Sequence, residues 1–395
     1  NPLLSDSDFD GLPDVWEIQN QRNPVLANYD VETGLFNSCA IDDTGVVCWG
    51  YNQYGQSSPP KLSNPTQVAA GYFHACALAA DGVTCWGSSA HEKIDVPPLS
   101  NPTQISSKYF HTCALDDTGV VCWGQNDYGE TSVPALSNPT HVSAGREHTC
   151  AIDDSGIVCW GKDETGKLEP PILANPTQIS PGTYSNCALD DAGITCWGAN
   201  TLVLNPPEVR DVRQVDTGSA HACALSKTGV ACWGYSGANN RLAIPTLIRT
   251  SQISAAKHTC ALNDTGVVCW GDNDRGQSDV PSLIIDPDGD GYNNHGGLDI
   301  FPLDKTEWLD TDQDGIGDNG DAFADDPLYS TDSDSDGMPD TWEIRYGLNP
   351  DDASDARSDQ DNDGVSALDE FLAGTIPSGS LDIDGNAQYD ALTDG

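Results

Sequence analysis

Residues 101–124 read NPTQISSKYFHTCALDDTGVVCWG, and this stretch decides the architecture. Within Cys113-Ala-Leu-Asp-Asp-Thr-Gly-Val-Val-Cys122-Trp123, two short apolar runs flank an acidic, glycine-ended turn, the signature of a β-hairpin. With a four-residue loop from Asp116 to Gly119 and Gly119 in the left-handed region, Leu115 faces Val120 and Cys113 faces Cys122. Facing positions on one side of a hairpin bring Cβ atoms close enough for a disulfide. A loop one residue shorter would put the two sulfurs on opposite faces. The disulfide and the turn therefore stand or fall together.

Outward from this unit the pattern repeats. The pairs Cys39–Cys48, Cys76–Cys85, Cys113–Cys122, Cys150–Cys159, Cys187–Cys196, Cys223–Cys232 and Cys260–Cys269 all have the spacing C-x8-C. They recur every 37 residues, with one step of 36. Self-similarity of this kind marks a repeat architecture. Zinc sites prefer C-x2–4-C knuckles, which are absent, and reduced thiols need no pairing, so the cysteines read as one oxidised staple per unit. Each is worth about 2–3 kcal/mol by loop entropy. Seven antiparallel units form either an open solenoid or a closed ring, and glycine- and tryptophan-marked units of this length favour a propeller, whose closure protects sheet edges.

The string G-x-x-H-x-C-A-L-x-x-x-G-V-x-C-W-G-x-N-x-x-G-Q, clearest at Gly71–Gly87 and His258–Gln277, resembles the repeat of the regulator-of-chromosome-condensation family of seven-bladed β-propellers. The resemblance spans about residues 25–284 and is nearest to short-repeat, secreted bacterial members. It implies seven blades of three or four strands. The nuclear members' exchange-factor role on chromatin is not carried over, because an acidic, disulfide-bearing surface fits neither chromatin nor a reducing compartment. His74, His111, His148, His221 and His258 precede the first cysteine by two positions, with Asn37 and Ser185 in two other units. They read as structural side chains bonding neighbouring backbone, not as a metal ring. Trp49, Trp86, Trp123, Trp160, Trp197, Trp233 and Trp270 read as inter-blade packing.

The ends carry different chemistry. Residues 6–17 satisfy D-x-D-x-D-G-x5-E, the EF-hand calcium loop, with ligands Asp6, Asp8, Asp10, the Leu12 carbonyl, Asp14 and a bidentate Glu17. The string recurs at 332–343 with Asp332, Asp334, Asp336, the Met338 carbonyl, Asp340 and Glu343. It recurs again at 359–370 with Asp359, Asp361, Asp363, the Val365 carbonyl and Glu370, where Ala367 at the ninth position implies water. Asp310, Asp312, Asp314, Asp318 and Asp321 form a fourth loop. Asp286, Asp288, Asp290 and Asn294 form a weaker one without an acidic closer. Asp382, Asp384, Asn386 and Asp390 begin a sixth, resembling half of a dockerin-type loop. Residues 286–326 resemble thrombospondin type 3 calcium repeats, in which ions replace an apolar core.

Residues 286–395 hold 30 Asp plus Glu against 3 Lys plus Arg. Without cations such a segment repels itself, so about four to six Ca2+ are expected as folding partners. The expected organisation is an N-terminal calcium loop (1–24), a propeller (25–284), thrombospondin-like repeats (285–330), paired EF-hand-like loops with short helices (331–376) and a partial loop (377–395). The N-terminal loop is expected near the C-terminal array, because ring closure brings residues 25 and 284 together. The fold class is mainly β, a seven-bladed propeller with one disulfide per blade plus calcium-stabilised, loop-rich segments.

Over the whole chain, 61 Asp plus Glu against 17 Lys plus Arg give a formal charge of −44, which repels phosphate backbones and anionic lipid heads. No nucleic-acid partner and no direct membrane insertion are expected, and no run of about 20 apolar residues spans a bilayer. The chain opens on Asn1, as a mature product would, and stops at Asp-Ala-Leu-Thr-Asp-Gly, where a loop of this kind normally leads into a helix; a longer native polypeptide is expected. Catalytic motifs are absent, so no enzyme is expected. The expected function is a secreted or cell-surface calcium-binding structural or adhesive protein, able to assemble head to tail with copies of itself. The alternative is an extracellular binding module whose propeller loops recognise a protein or glycan, since residues 161–175 and 198–212 vary while the hairpins stay fixed.

Overall fold

A computed structural model of the chain describes residues 29–163, 166–237, 239–286, 290–293, 299–301 and 304–377. The chain divides into two compact units, Asn1–Pro302 and Leu303–Gly395. The first contains seven three-stranded antiparallel sheets, each formed by strands consecutive in sequence.

In the third sheet the strands are Gln104–Ser107, His111–Asp116 and Gly119–Gly124. Cys113 pairs with Cys122 and Leu115 with Val120, as the hairpin reading requires, and Asp116 pairs with Gly119 to leave a turn of Asp117 and Thr118. Gly119 has φ +114°, a region that side chains avoid. The Asp116 carboxylate accepts from Thr118 N–H and Oγ and from Ser100 N–H, which ties the turn to the incoming loop. Asn101 adopts a positive φ just before Pro102 and donates to Asp117. The recurring Ser-Asn-Pro and Asp-Asp strings are therefore two halves of one clasp. All seven cysteine pairs form disulfides within their own hairpins.

The first strand of each blade faces a central channel of about 190 Å³. Blades join by a repeated set of bonds. Near the channel, a side-chain oxygen at the head of one inner strand accepts an N–H of the next: Gln67 from Ile105, Gln104 from Val142, Gln178 from Val215 and Gln214 from Ile253. Gln252 accepts from Val31 at 3.0 Å in the same way, so the seventh blade meets the first and the ring is closed. Farther out, every repeat tryptophan donates its indole N–H to a loop carbonyl of the preceding blade, at 2.8–3.1 Å. The packing expectation for the tryptophans holds, and its polar half is this bond.

The last seam has its own filler. Leu283 and Ile285 are buried with Val31, Trp49 and Leu262 between the seventh and first blades. Ile284 N–H donates to Asp42, as Ser100 N–H does to Asp116, so the segment after the last blade acts as the missing inter-blade connection. This is why the first unit continues past the boundary drawn at residue 284. Tyr29 and Asp286 meet across the seam at 3.0 Å, in line with ring closure.

Each of the five histidines is buried and its Nε2 bonds a side chain of the next blade: Thr112, Thr149, Asn186, Thr259 or, across the closing seam, Ser38. The partner is a hydroxyl or amide rather than backbone, but the role is structural. Burial pushes these imidazoles down from 6.5 to about 3 or 4. The unfolded chain thus binds more protons below pH 6.5, and stability that is full above that value is lost as pH falls toward 4. Within the first unit Glu32, Asp43 and Asp299, pushed up mainly by burial, act with the opposite sign, but His141 is pushed down by burial as well, so the lowered imidazoles of the ring outnumber them. Melting temperature is expected to fall steadily between pH 6.5 and 4; a flat profile in circular dichroism melts would contradict neutral histidines in the seams.

In the second unit, two α-helices, Asp340–Tyr346 (α1) and Ala367–Ala373 (α2), each end on a left-handed glycine, Gly347 and Gly374. Met338, Trp342, Ala356 and Ala367 form a small core, with Tyr329, Tyr346, Leu348, Leu368 and Phe371 against it. This core draws on both acidic loops, so the two loops pack as a pair. Trp342 is buried, whereas Ile344 is exposed to solvent. Among the described residues, no helix is long and apolar enough to cross a membrane.

Candidate functional site

The acidic loops share one geometry. The first aspartate accepts the N–H of the glycine five residues on: Asp286 from Gly291, Asp310 from Gly315, Asp332 from Gly337 and Asp359 from Gly364, at 2.9–3.0 Å. Those glycines have φ of +93° to +96°, and in the loops from Asp310, Asp332 and Asp359 the chain folds back so that alternate carboxylates converge. Carboxylate oxygens of Asp310, Asp312 and Asp314, of Asp332, Asp334 and Asp336, and of Asp359, Asp361 and Asp363 lie within 4.8 Å of one another in each set.

The closing glutamates of two loops are buried. Glu343 is fully buried on α1, and neither of its oxygens has a hydrogen-bond partner. Glu370 on α2 is 2% exposed and its Oε2 is likewise unpartnered. Burial, and then the neighbouring aspartates, push both carboxyls up to about 7. A buried carboxylate without a donor is costly. Both oxygens of Asp334 and one each of Asp312, Asp321, Asp336 and Asp361 are also buried without partners.

Two residues join that the pattern did not single out. Asp355, in the 3-10 turn Asp355–Arg357, brings a carboxylate oxygen within 4.8 Å of those of Asp336 and Glu343. Asp299, with a buried and unpartnered Oδ2, is pushed up to about 6 by burial and by the nearby Asp290 and Asp286. Asp340 is differently engaged from the ligand role its ninth position suggested. Its two oxygens accept from Ser333 N–H and Oγ, each at 2.7 Å. Asp318 does the same with Thr311. Met338 sends its side chain into the core. Val365 N–H donates to Asp363. The ligands expected at Asp6, Asp8, Asp10, Leu12, Asp14, Glu17, Asp288, Asn294, Asp382, Asp384, Asn386 and Asp390 lie outside the described residues, as does the expected placement of residues 6–17.

On the ring, the connections after the inner and outer strands of each blade lie at one end, since His111 pairs with Gly124 and Ser107 with Thr112. This end is rich in aromatic rings and cations. The opposite end carries the Asp-Asp hairpin turns. Inside the channel, Lys108 reaches from the third blade to the sixth and bonds Asp216 at 2.8 Å, while Glu32 lies close by.

Regulator of chromosome condensation (RCC1) repeats match residues 29–56, 66–92, 103–130, 140–166 and 256–277. With the closed seven-blade ring, this decides the type of scaffold. The ring is an RCC1-like β-propeller. The ectodomain of the receptor kinase CR4 from Physcomitrella patens resembles this RCC1-like propeller with TM-score 0.54 and 22% identity, over 62% of this chain and 72% of that one. The CRINKLY WD40 ectodomain of the receptor kinase ACR4 from Arabidopsis thaliana gives TM-score 0.52 and 24% identity, over 64% and 97%. Prp20p from Saccharomyces cerevisiae, whose described binding properties concern Gsp1p and histones, gives 0.50 and 16%, over 63% and 83%. At these identities the likeness is one of fold. No curated protein sequence matches the chain.

Proposed function

We propose that the chain is a non-catalytic extracellular binding or adhesive protein, in which a disulfide-stapled propeller presents recognition loops and Ca2+ orders the acidic repeats. The observation that carries the calcium half is Glu343: a fully buried carboxylate with both oxygens unpartnered, beside Asp336 and Asp355. All groups aimed at the site are hard oxygens, which suits Ca2+ and not the softer metals that take imidazole or thiolate. In this reading Asp332, Asp334, Asp336, Glu343 and Asp355 hold one region of charge, and Asp359, Asp361, Asp363 and Glu370 another.

Seven disulfides fit an oxidising, extracellular setting. A propeller of the same fold, Prp20p, is described as binding proteins, which favours a protein partner over a glycan. The test is calcium withdrawal from the full chain. With millimolar Ca2+, residues 304–377 are expected to resist protease. In chelator they are expected to be cut first, while the ring persists. Equal resistance in both conditions would refute the calcium reading.

A further inference from the structure

The chain has 17 Lys plus Arg among 61 Asp plus Glu, so cations that cluster on one surface stand out. Three such cations gather at the aromatic end of the ring. Lys257 Nζ lies 4.2 Å from the centre of the Phe36 ring, Arg275 Cζ 5.4 Å from Tyr51, and Lys93 Nζ 5.3 Å from Phe110 and 5.9 Å from Phe73. None of the three forms an ion pair with the described residues. Lys93 is the most telling. Its stem is packed away between Phe73 and Phe110, and burial holds its ammonium pKa below the usual lysine value. The ammonium tip keeps a solvent edge between the two rings, whose faces favour the cation without satisfying its N–H donors.

The rings beneath these cations form one connected band. Phe36 touches Tyr51 and Tyr72, Tyr72 touches Phe73 and Phe110, and Tyr54 packs on Phe73. The cations over Phe36 and Tyr51 cover those ring faces, and Tyr72 and Phe73 stack on each other, which leaves these faces poorly placed to stack on sugar rings. A carboxylate approaching from solvent meets ammonium and guanidinium donors directly. Aromatic residues and arginine are also the groups enriched in protein interfaces.

We propose that this end of the propeller binds a carboxylate-rich polypeptide segment of a protein partner, with one carboxylate seated on Lys93 between Phe73 and Phe110 and others on Lys257 and Arg275. The proposal rests on reading the propeller as a recognition module and names the chemistry of its partner.

The test uses the full chain with Ca2+ at about 0.1 M salt, where charges beyond about 10 Å are screened. The probes are poly-L-glutamate and, as the glycan arm, polygalacturonate. Saturable binding of polyglutamate is expected, weakening as salt is raised. Lys93→Met, which keeps the apolar stem, is expected to weaken it about tenfold, the loss of one charge-assisted contact. Adding Lys257→Gln and Arg275→Gln is expected to abolish it with melting unchanged. Absence of polyglutamate binding, equal binding by the triple variant, or polygalacturonate binding as tight as polyglutamate would each overturn the proposal. A chain that keeps calcium-dependent protease resistance while ignoring polyglutamate would refute this surface and leave the calcium reading standing.

Discussion

Reduction of the seven disulfides is expected to unfold the ring. Each closes a hairpin with a sequence separation of 9, which loop entropy values at about 2.7 kcal/mol. Seven together exceed the ~5–15 kcal/mol that holds an ordinary domain. The first cysteine of each pair is wholly buried and the second half-buried, so reductant is expected to enter at the second sulfur. Once reduced, the chain is expected to melt tens of degrees lower. A single-blade version isolates the effect: replacing Cys113 and Cys122 together by serine is expected to lower the midpoint by about 5–10 °C, from the usual relation between stability and melting temperature. Calorimetry of oxidised and reduced chains decides it. A loss of only a degree or two on full reduction would mean that inter-blade bonds alone hold the ring.

The second large effect concerns Glu343. Glu343→Ala removes the bidentate closer of its loop and is expected to weaken Ca2+ binding there by more than a hundredfold, with loss of order in the core around Trp342. The pH dependence supplies a sharper signature. Without cation, Glu343 and Glu370 are pushed up to about 7 by burial and by neighbouring aspartates. The folded apo unit therefore takes up protons, so its stability is present at low pH and lost as pH rises through 7. With Ca2+ the direction reverses, because protons compete for the same oxygens. Chelator-treated chain is expected to be better ordered at pH 5.5 than at pH 8, and calcium-loaded chain the other way round. Tryptophan fluorescence is dominated by the ring, so near-ultraviolet dichroism combined with proteolysis of residues 304–377 is the better readout. The same pH trend with and without calcium would count against cation binding.

The ring was legible because its information is local and repeated. Cys113 and Cys122 set the register, Gly119 set the turn, and the period set the blade count. The number of strands per blade was open in the sequence. It is three, because the chain leaves each outer strand at a glycine such as Gly124 and passes into the loop that reaches the next blade. The filler at the last seam was harder to see, since Leu283 and Ile285 follow the final repeat and match no motif.

In the acidic unit the strings marked the loops but not every participant. Asp355 comes in only because the chain turns back after Gly347, and no fixed spacing reports that reversal. The fate of Asp340 was readable in hindsight. Loops with a hydroxyl residue at the second position, Ser333 and Thr311, have an aspartate at the ninth, and the hydroxyl engages it. The loop from Asp359 has Gln360 and Ala367 at those places and lacks both halves of the pair.

The tryptophan joint has a further consequence. Its acceptor is always a main-chain carbonyl, contributed by Gln56, Lys93, Glu130, Lys167, Val203, Arg241 and Gln277 in turn. Since every residue type carries that carbonyl, the same indole bond forms whether the side chain there is amide, acid, base or aliphatic, although six of the seven side chains are buried. The joint between blades is thus uniform while the loop behind it is braced differently from blade to blade: Gln56, Glu130 and Gln277 each take the backbone N–H two residues back, and Arg241 is tied to Asp272.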